Sequence, residues 1–236
     1  MYVKNSFCLS VFIYCLTIAC AVSAQQPASD LVNKVKSKIE SVNNYTADGR
    51  MKTNISFLKV PESDVKIYFK RPDKIRIVNE KGISLVPKGA VSITMNTILN
   101  NDGFTALDAG NAVLNNIPVR VIKMVPDGDK SSIILSTLYI DEKNLLVLKA
   151  KTTTRDNGTY ELEMVFGKYA SYALPDKILF VFNTKEYKLP KGVTFDYDDG
   201  SDKKKKTDSV DQNKGKVEIF YRSYLINKGV SDDIFK

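Results

Sequence analysis

Histidine and tryptophan are absent from the 236 residues, and the three cysteines, Cys8, Cys15 and Cys20, all fall inside one apolar stretch near the start. That inventory removes Ser-His-Asp and Cys-His pairs, the usual zinc sets, and any side chain that titrates near neutrality without help. An enzyme built from this chain would have to work with carboxylates, lysine or tyrosine. Glu161 and Glu163 alternate with apolar residues and so share one strand face, an arrangement that suits either a glycosidase pair or a solvated surface. The residue types point to no catalytic group, no metal and no cofactor.

The elements that would position any site begin after a leader. Lys4 precedes an apolar run from Phe7 to Val22, and Val22-Ser23-Ala24 has the small-residue form of an export cleavage site. The expectation is a signal peptide over residues 1–24, cleaved after Ala24, and export to the periplasm. Leu16-Thr17-Ile18-Ala19-Cys20 offers a second possibility, a lipid-anchored Cys20. Cleavage after Ala24 leaves no cysteine, so the core must hold without a disulfide. Lysine and arginine total 35 against 27 acidic residues, a formal charge of +8, but no basic stripe is interleaved with aromatics. A nucleic-acid partner is not expected.

From Leu31 the apolar residues Leu31, Val32, Val35, Ile39 and Val42 recur at helical spacing, predicting a helix over 30–43 capped by Ser29 or Asp30. Strands are then predicted over 45–58, 64–70, 74–78, 119–125, 132–140, 145–154, 160–169, 178–184 and 217–226. Short turns such as Asp141-Glu142-Lys143-Asn144 and Asp156-Asn157-Gly158 make the neighbours antiparallel. Residues 95–116 carry Gly103, Gly110 and several Asn, which fit a loop, short helices or an irregular hairpin. Residues 199–216 include Lys203-Lys204-Lys205-Lys206 and one aliphatic side chain, Val210, and read as a mobile charged loop within a single domain.

Several strands are apolar on both faces: Leu162, Met164 and Phe166 oppose Val165, and Ile178, Phe180 and Phe182 oppose Leu179 and Val181. One face can take the helix. The other needs a second sheet, a lid or an apolar ligand, unless the sheet curls and fills itself.

Phe69-Lys70-Arg71-Pro72-Asp73-Lys74-Ile75-Arg76, following a leader, a helix and a long strand, resembles the opening of the bacterial LolA-type outer-membrane lipoprotein carriers. Lys123-Met124-Val125-Pro126, Tyr139-Ile140-Asp141 and Leu189-Pro190-Lys191-Gly192-Val193-Thr194 follow in that family's order, so the likeness spans about residues 28–196. The family's usual Asp-Gly plus aromatic strand is not recognised between Glu80 and Asn116. The resemblance implies a mainly β (α+β) fold, an incomplete antiparallel barrel covered by the N-terminal helix and lid segments over residues 25–236.

It also implies a cavity that shields the acyl chains of a lipoprotein or other lipid, handed from an inner-membrane donor to an outer-membrane acceptor by a monomeric carrier. Phe57, Phe69, Met164, Phe166, Phe180 and Phe182 become candidates to line that cavity, with ordinary core positions as the alternative for each. Arg71 becomes a candidate latch, because the family's Arg-Pro arginine hydrogen-bonds lid backbone at the cavity mouth, and five donors in a fixed fork suit that task. Two other readings stay open: a sensor or scaffold of the same fold that binds a protein partner, and a carboxylate-based hydrolase.

Overall fold

The computed structural model describes residues 27–55, 58–59, 61–79, 99, 103–128, 131–156, 158–183 and 214–236. The leader, the Cys20 alternative, Phe57 and residues 199–213 of the charged loop lie outside them.

Helix α1 runs over Ala28–Glu40 and turns Leu31, Val32 and Val35 fully into the core. It starts before the expected cap. Pro27 occupies the N-cap position with φ near −52° and no side-chain cap, and its carbonyl accepts from Leu31 N–H at 3.1 Å. Proline needs no partner for an N–H it lacks, so the first turn forms without Ser29 or Asp30 as cap. The helix also stops short of Asn43. Ser41 Oγ and Ser41 N–H both donate to the Lys38 carbonyl, and Val42 leaves the helix to enter the core at 2% exposure.

Eleven strands follow among the described residues: β1 (Asn44–Ile55), β2 (Leu58–Lys59), β3 (Ser63–Lys70), β4 (Lys74–Asn79), β5 (Phe104–Leu114), β6 (Ile117–Pro126), β7 (Ile133–Asp141), β8 (Leu146–Thr154), β9 (Gly158–Val165), β10 (Lys177–Asn183) and β11 (Lys214–Ile226). Ten of them form one antiparallel path, β4-β3-β1-β11-β10-β9-β8-β7-β6-β5, with β2 paired to β1 beside it. The sheet is open, and it is an incomplete barrel with α1 on its concave side, as expected.

Over 104–116 the ambiguity resolves in favour of an irregular hairpin with the strand that follows, while residues 95–98 and 100–102 lie outside the described residues. Asn115 and Asn116 both take positive φ, 50° and 65°, the geometry of a two-residue turn that matches strand twist. The irregularity is a bulge between Asp108 and Asn111. Gly110 supplies it with φ 86°, a conformation costly to a side-chain-bearing residue, and Asp108 Oδ1 accepts its N–H. Asp102-Gly103-Phe104 leads into this strand, so an Asp-Gly and aromatic start does exist where none was recognised.

Two strand ends differ from expectation. β9 stops at Val165 rather than at Tyr169, because the Val165 carbonyl accepts from Asp176 N–H at 2.8 Å and the chain turns into a short 3-10 segment, Ala170–Tyr172. Lys214, Gly215 and Lys216 belong to β11, paired with Asn183, Phe182 and Val181, and not to the charged loop.

Candidate functional site: the concave face

The register of the ladders turns the period of two into continuous cross-strand rows on the inner face. One row reads Ile122, Leu138, Ala150, Leu162, Phe180, Val217, Thr53. Every member is buried. The next row reads Met164, Ile178, Ile219, Met51, Ser63. A third reads Met124, Ser136, Thr152, Tyr160, Phe182, Gly215. Within it Ser136 Oγ and Thr152 Oγ1 share a 3.0 Å hydrogen bond, so hydroxyls sunk to 1% exposure or less are satisfied.

Of the expected lining residues, Met164, Phe180 and Phe182 stand together on this face. Phe180 and Phe182 rings are 5.4 Å apart, and Tyr160 lies 5.5 Å from Phe180. Phe182 crosses the adjacent strand at Gly215, where a Cβ would collide with its ring. Phe69 is also concave, at 4% exposure, but it stands on β3, three strands from β10. Phe166 lies just past β9 and is partly buried between the main core and a small cluster of Val119, Leu146 and Leu148.

Phe69 belongs to an aromatic group that spacing did not reveal. Tyr45 stacks on it at 5.1 Å, Tyr224 meets Tyr45 edge-on at 5.3 Å, and Tyr169 and Tyr221 pack on Tyr224 at 4.9 and 5.0 Å. Tyr221 and Tyr224 are three residues apart, a spacing that puts strand residues on opposite faces. The irregularity opposite Asp48 and Gly49 shifts the register by one and brings both inward. Burial pushes the Tyr45, Tyr221 and Tyr224 phenols far above their ordinary range, so all three stay neutral. Tyr224 donates to the Pro175 carbonyl at 2.7 Å.

The C-terminal end of α1 is tied down beside this group. Arg71 Nη1 donates to the Glu40 carbonyl at 2.9 Å, Arg71 Nη2 stands 3.2 Å from Glu40 Oε1, and Arg71 N–H donates to the Asn43 carbonyl. A cation at the last helical carbonyl also complements the helix dipole. Lys38 Nζ donates to the Asn144 carbonyl at 2.7 Å from the other side. Asn227 holds the exit: its Oδ1 accepts from Asn43 and Asn44 N–H, and its Nδ2 donates to the Ser41 carbonyl.

The convex face carries charge. Lys149 Nζ lies 2.7 Å from Glu161 and 2.9 Å from Glu163. Burial opposes the Lys149 charge, yet the two carboxylates outweigh it and raise its pKa, while the lysine hydrogen bond holds Glu161 below its usual range. A general acid needs a raised carboxyl pKa. Glu161 has the reverse, and both carboxylates are engaged by one ammonium.

No protein-family profile and no curated protein matches the chain. Solved structures do. An outer membrane lipoprotein-sorting protein domain from Vibrio parahaemolyticus superposes with a TM-score of 0.56 at 9% identity, covering 88% of this chain and 95% of that one. A DUF1329 family protein from Desulfovibrio piger gives 0.54 at 11%, covering 89% and 98%. A LolA superfamily protein from Nitrosomonas europaea gives 0.53 at 9%, again covering 89% and 98%. At these identities the likeness is one of fold, and the fold is LolA-like in a divergent form.

Proposed function

We propose that this chain is a non-enzymatic carrier that shelters the acyl chains of a lipid or lipoprotein against its concave face in the periplasm. One observation carries the reading. The inner rows are mostly apolar, with Thr53, Ser63, Ser136 and Thr152 as their polar members, and among the described residues α1 and the helical Leu99 are buried in the same core.

An acyl chain suits such a surface, since each methylene withdrawn from water is worth about 0.8 kcal/mol and no covalent chemistry is needed. Release then requires that the cover move at little cost. In this reading α1 is part of the cover, and Arg71 is its latch through Glu40. Met164, Phe180 and Phe182 lie along the cargo path, Phe69 lies near its Arg71 end, and Phe57 remains a proposed lining residue. The carrier acts as a monomer between an inner-membrane donor and an outer-membrane acceptor. The sorting function named for the Vibrio parahaemolyticus domain supports this reading through the shared fold.

The test is mass spectrometry of lipids that co-purify with the chain expressed with its leader, together with titration of a fluorescent fatty-acyl probe. Bound acyl lipid and saturable probe binding are expected. A protein that carries no lipid and binds no probe would refute the carrier reading.

A further inference from the structure

Strands β9, β10 and β11 carry apolar residues on both sides, and a cargo on the concave face accounts for one side only. Phe180 and Phe182 of β10 point inward, while Leu179 and Val181 stand half-buried on the convex face. Beside them an outward row crosses four strands as Val165, Lys177, Phe220, Arg50. Val165 is 56% exposed and Phe220 41%. Exposed apolar side chains are ordinary when they stand singly. Here Leu179 is the diagonal neighbour of both, so the three form one patch.

Phe220 also walls a cleft of about 470 Å³, together with Arg50, Lys52, Glu62, Glu218 and Arg222. Arg222 reaches that cleft through the irregularity already noted in β11. Ser223 pairs with Asp48 and Tyr221 with Gly49, so Arg222 is the extra residue, re-aimed outward beside Phe220. The charges around the cleft do not cancel. Lys52 pairs with Glu62 at 3.3 Å, Lys177 with Glu218 at 3.1 Å and Arg222 with Asp64 at 3.1 Å. Arg50 is the surplus cation: its one ion-pair partner among the described residues is Asp64 at 3.9 Å, the carboxylate that Arg222 already holds. Its fork of donors stands next to an exposed aromatic ring with capacity for one more carboxylate.

We propose that this convex cleft docks a partner protein, through a segment that sets an Asp or Glu carboxylate on Arg50 and Arg222 and an apolar side chain on the patch of Phe220, Leu179 and Val165. Arginine and aromatic residues are the types that dominate the energetics of protein interfaces. The charge pattern selects a protein over a membrane. Glu62, Asp64 and Glu218 would face the phosphates of an anionic bilayer, whereas a segment with one carboxylate meets the one surplus cation. Because the cleft lies on the other side of the sheet from the concave face, the proposal is independent of the carrier reading, and a loaded carrier can dock here without giving up its cargo.

The test pans random phage-displayed peptides on the full chain. Enriched sequences should place an acidic residue beside an apolar or aromatic one. Such a peptide, synthesised with a fluorescent label, should bind wild type and lose roughly tenfold or more in affinity to Phe220→Thr and to Arg50→Gln, while Phe220→Tyr keeps it. Exchanging the peptide's acid for its amide should weaken binding to wild type but add little once Arg50→Gln is in place. These variants should keep the unfolding midpoint, since the side chains changed are exposed. No enriched peptide, peptides without a carboxylate, or binding that survives both variants would overturn the proposal. So would co-sedimentation with phosphatidylglycerol vesicles that Phe220→Thr abolishes, because the face would then meet a membrane. Failure of a fatty-acyl probe to bind would remove the carrier reading and leave the docking cleft standing.

Discussion

Arg71 donates to the carbonyl oxygen of Glu40, the last residue of α1, at 2.9 Å, and the same guanidinium stands 3.2 Å from the Glu40 carboxylate. One side chain at a strand end therefore holds both the backbone and the side chain of a helix terminus. The contact is a third exposed, so it adds only about 0.5 to 1 kcal/mol to global stability. Its leverage is local, on whether the end of the helix stays down.

Arg71→Leu should therefore separate two measurements. The unfolding midpoint should fall slightly, while release of a bound fatty-acyl probe should quicken severalfold, because the apolar stem remains and the donors do not. Arg71→Lys should fall between, since an ammonium can reach the carbonyl but cannot span it and the carboxylate together. A loss of stability with unchanged probe release would reduce Arg71 to a structural clasp.

Much of the architecture was legible because period-two patterning and short turns are local signals. Strands β3, β4, β6, β7, β8 and β10 lie within two residues of the predicted limits. The parity that set Met164, Phe180 and Phe182 on one face was legible too. What escaped depended on register. The pairing of Tyr221 and Tyr224 needs an irregularity opposite Gly49. Asn227 carried no signal beyond a turn-like Asn-Lys-Gly, yet its φ of 55° and three hydrogen bonds close the helix exit. The strand over 104–114 was obscured because a bulge at Gly110 breaks its alternation, and Gly103, Gly110 and Asn111 read locally as loop residues.

Lys149 gives a prediction in pH. Glu161 has its folded-state pKa depressed, first by the lysine hydrogen bond, so it contributes stability that is present above the ordinary glutamate value and lost as pH falls through the depressed one. Lys149→Met leaves Glu161 and Glu163 adjacent on one face with their shared cation removed. It should destabilise by about 1 kcal/mol at pH 7, a figure already discounted for partial exposure. The gap between variant and wild type should narrow as pH falls from the ordinary glutamate value through the depressed one of Glu161. Denaturant midpoints measured across that range check this, and a pH-independent gap would mean that the lysine acts through packing of its stem.

Gly215 and Phe182 give the last prediction. Phe182 lies across the backbone of β11 at Gly215, and a Cβ there would overlap the ring. Gly215→Ala must therefore push the ring out of place, and overpacking of this kind costs roughly 1 to 3 kcal/mol. The ring can escape only by swinging away from β11, toward the concave space that the proposed cargo occupies, so probe affinity should fall along with stability. Phe182→Leu should rescue the pair, because the shorter side chain leaves room for the new methyl group. The double variant Gly215→Ala with Phe182→Leu should thus be more stable than the sum of the two single losses, a coupling of at least about 0.5 kcal/mol. Additive losses in the unfolding midpoints would show that the ring and the glycine do not constrain each other.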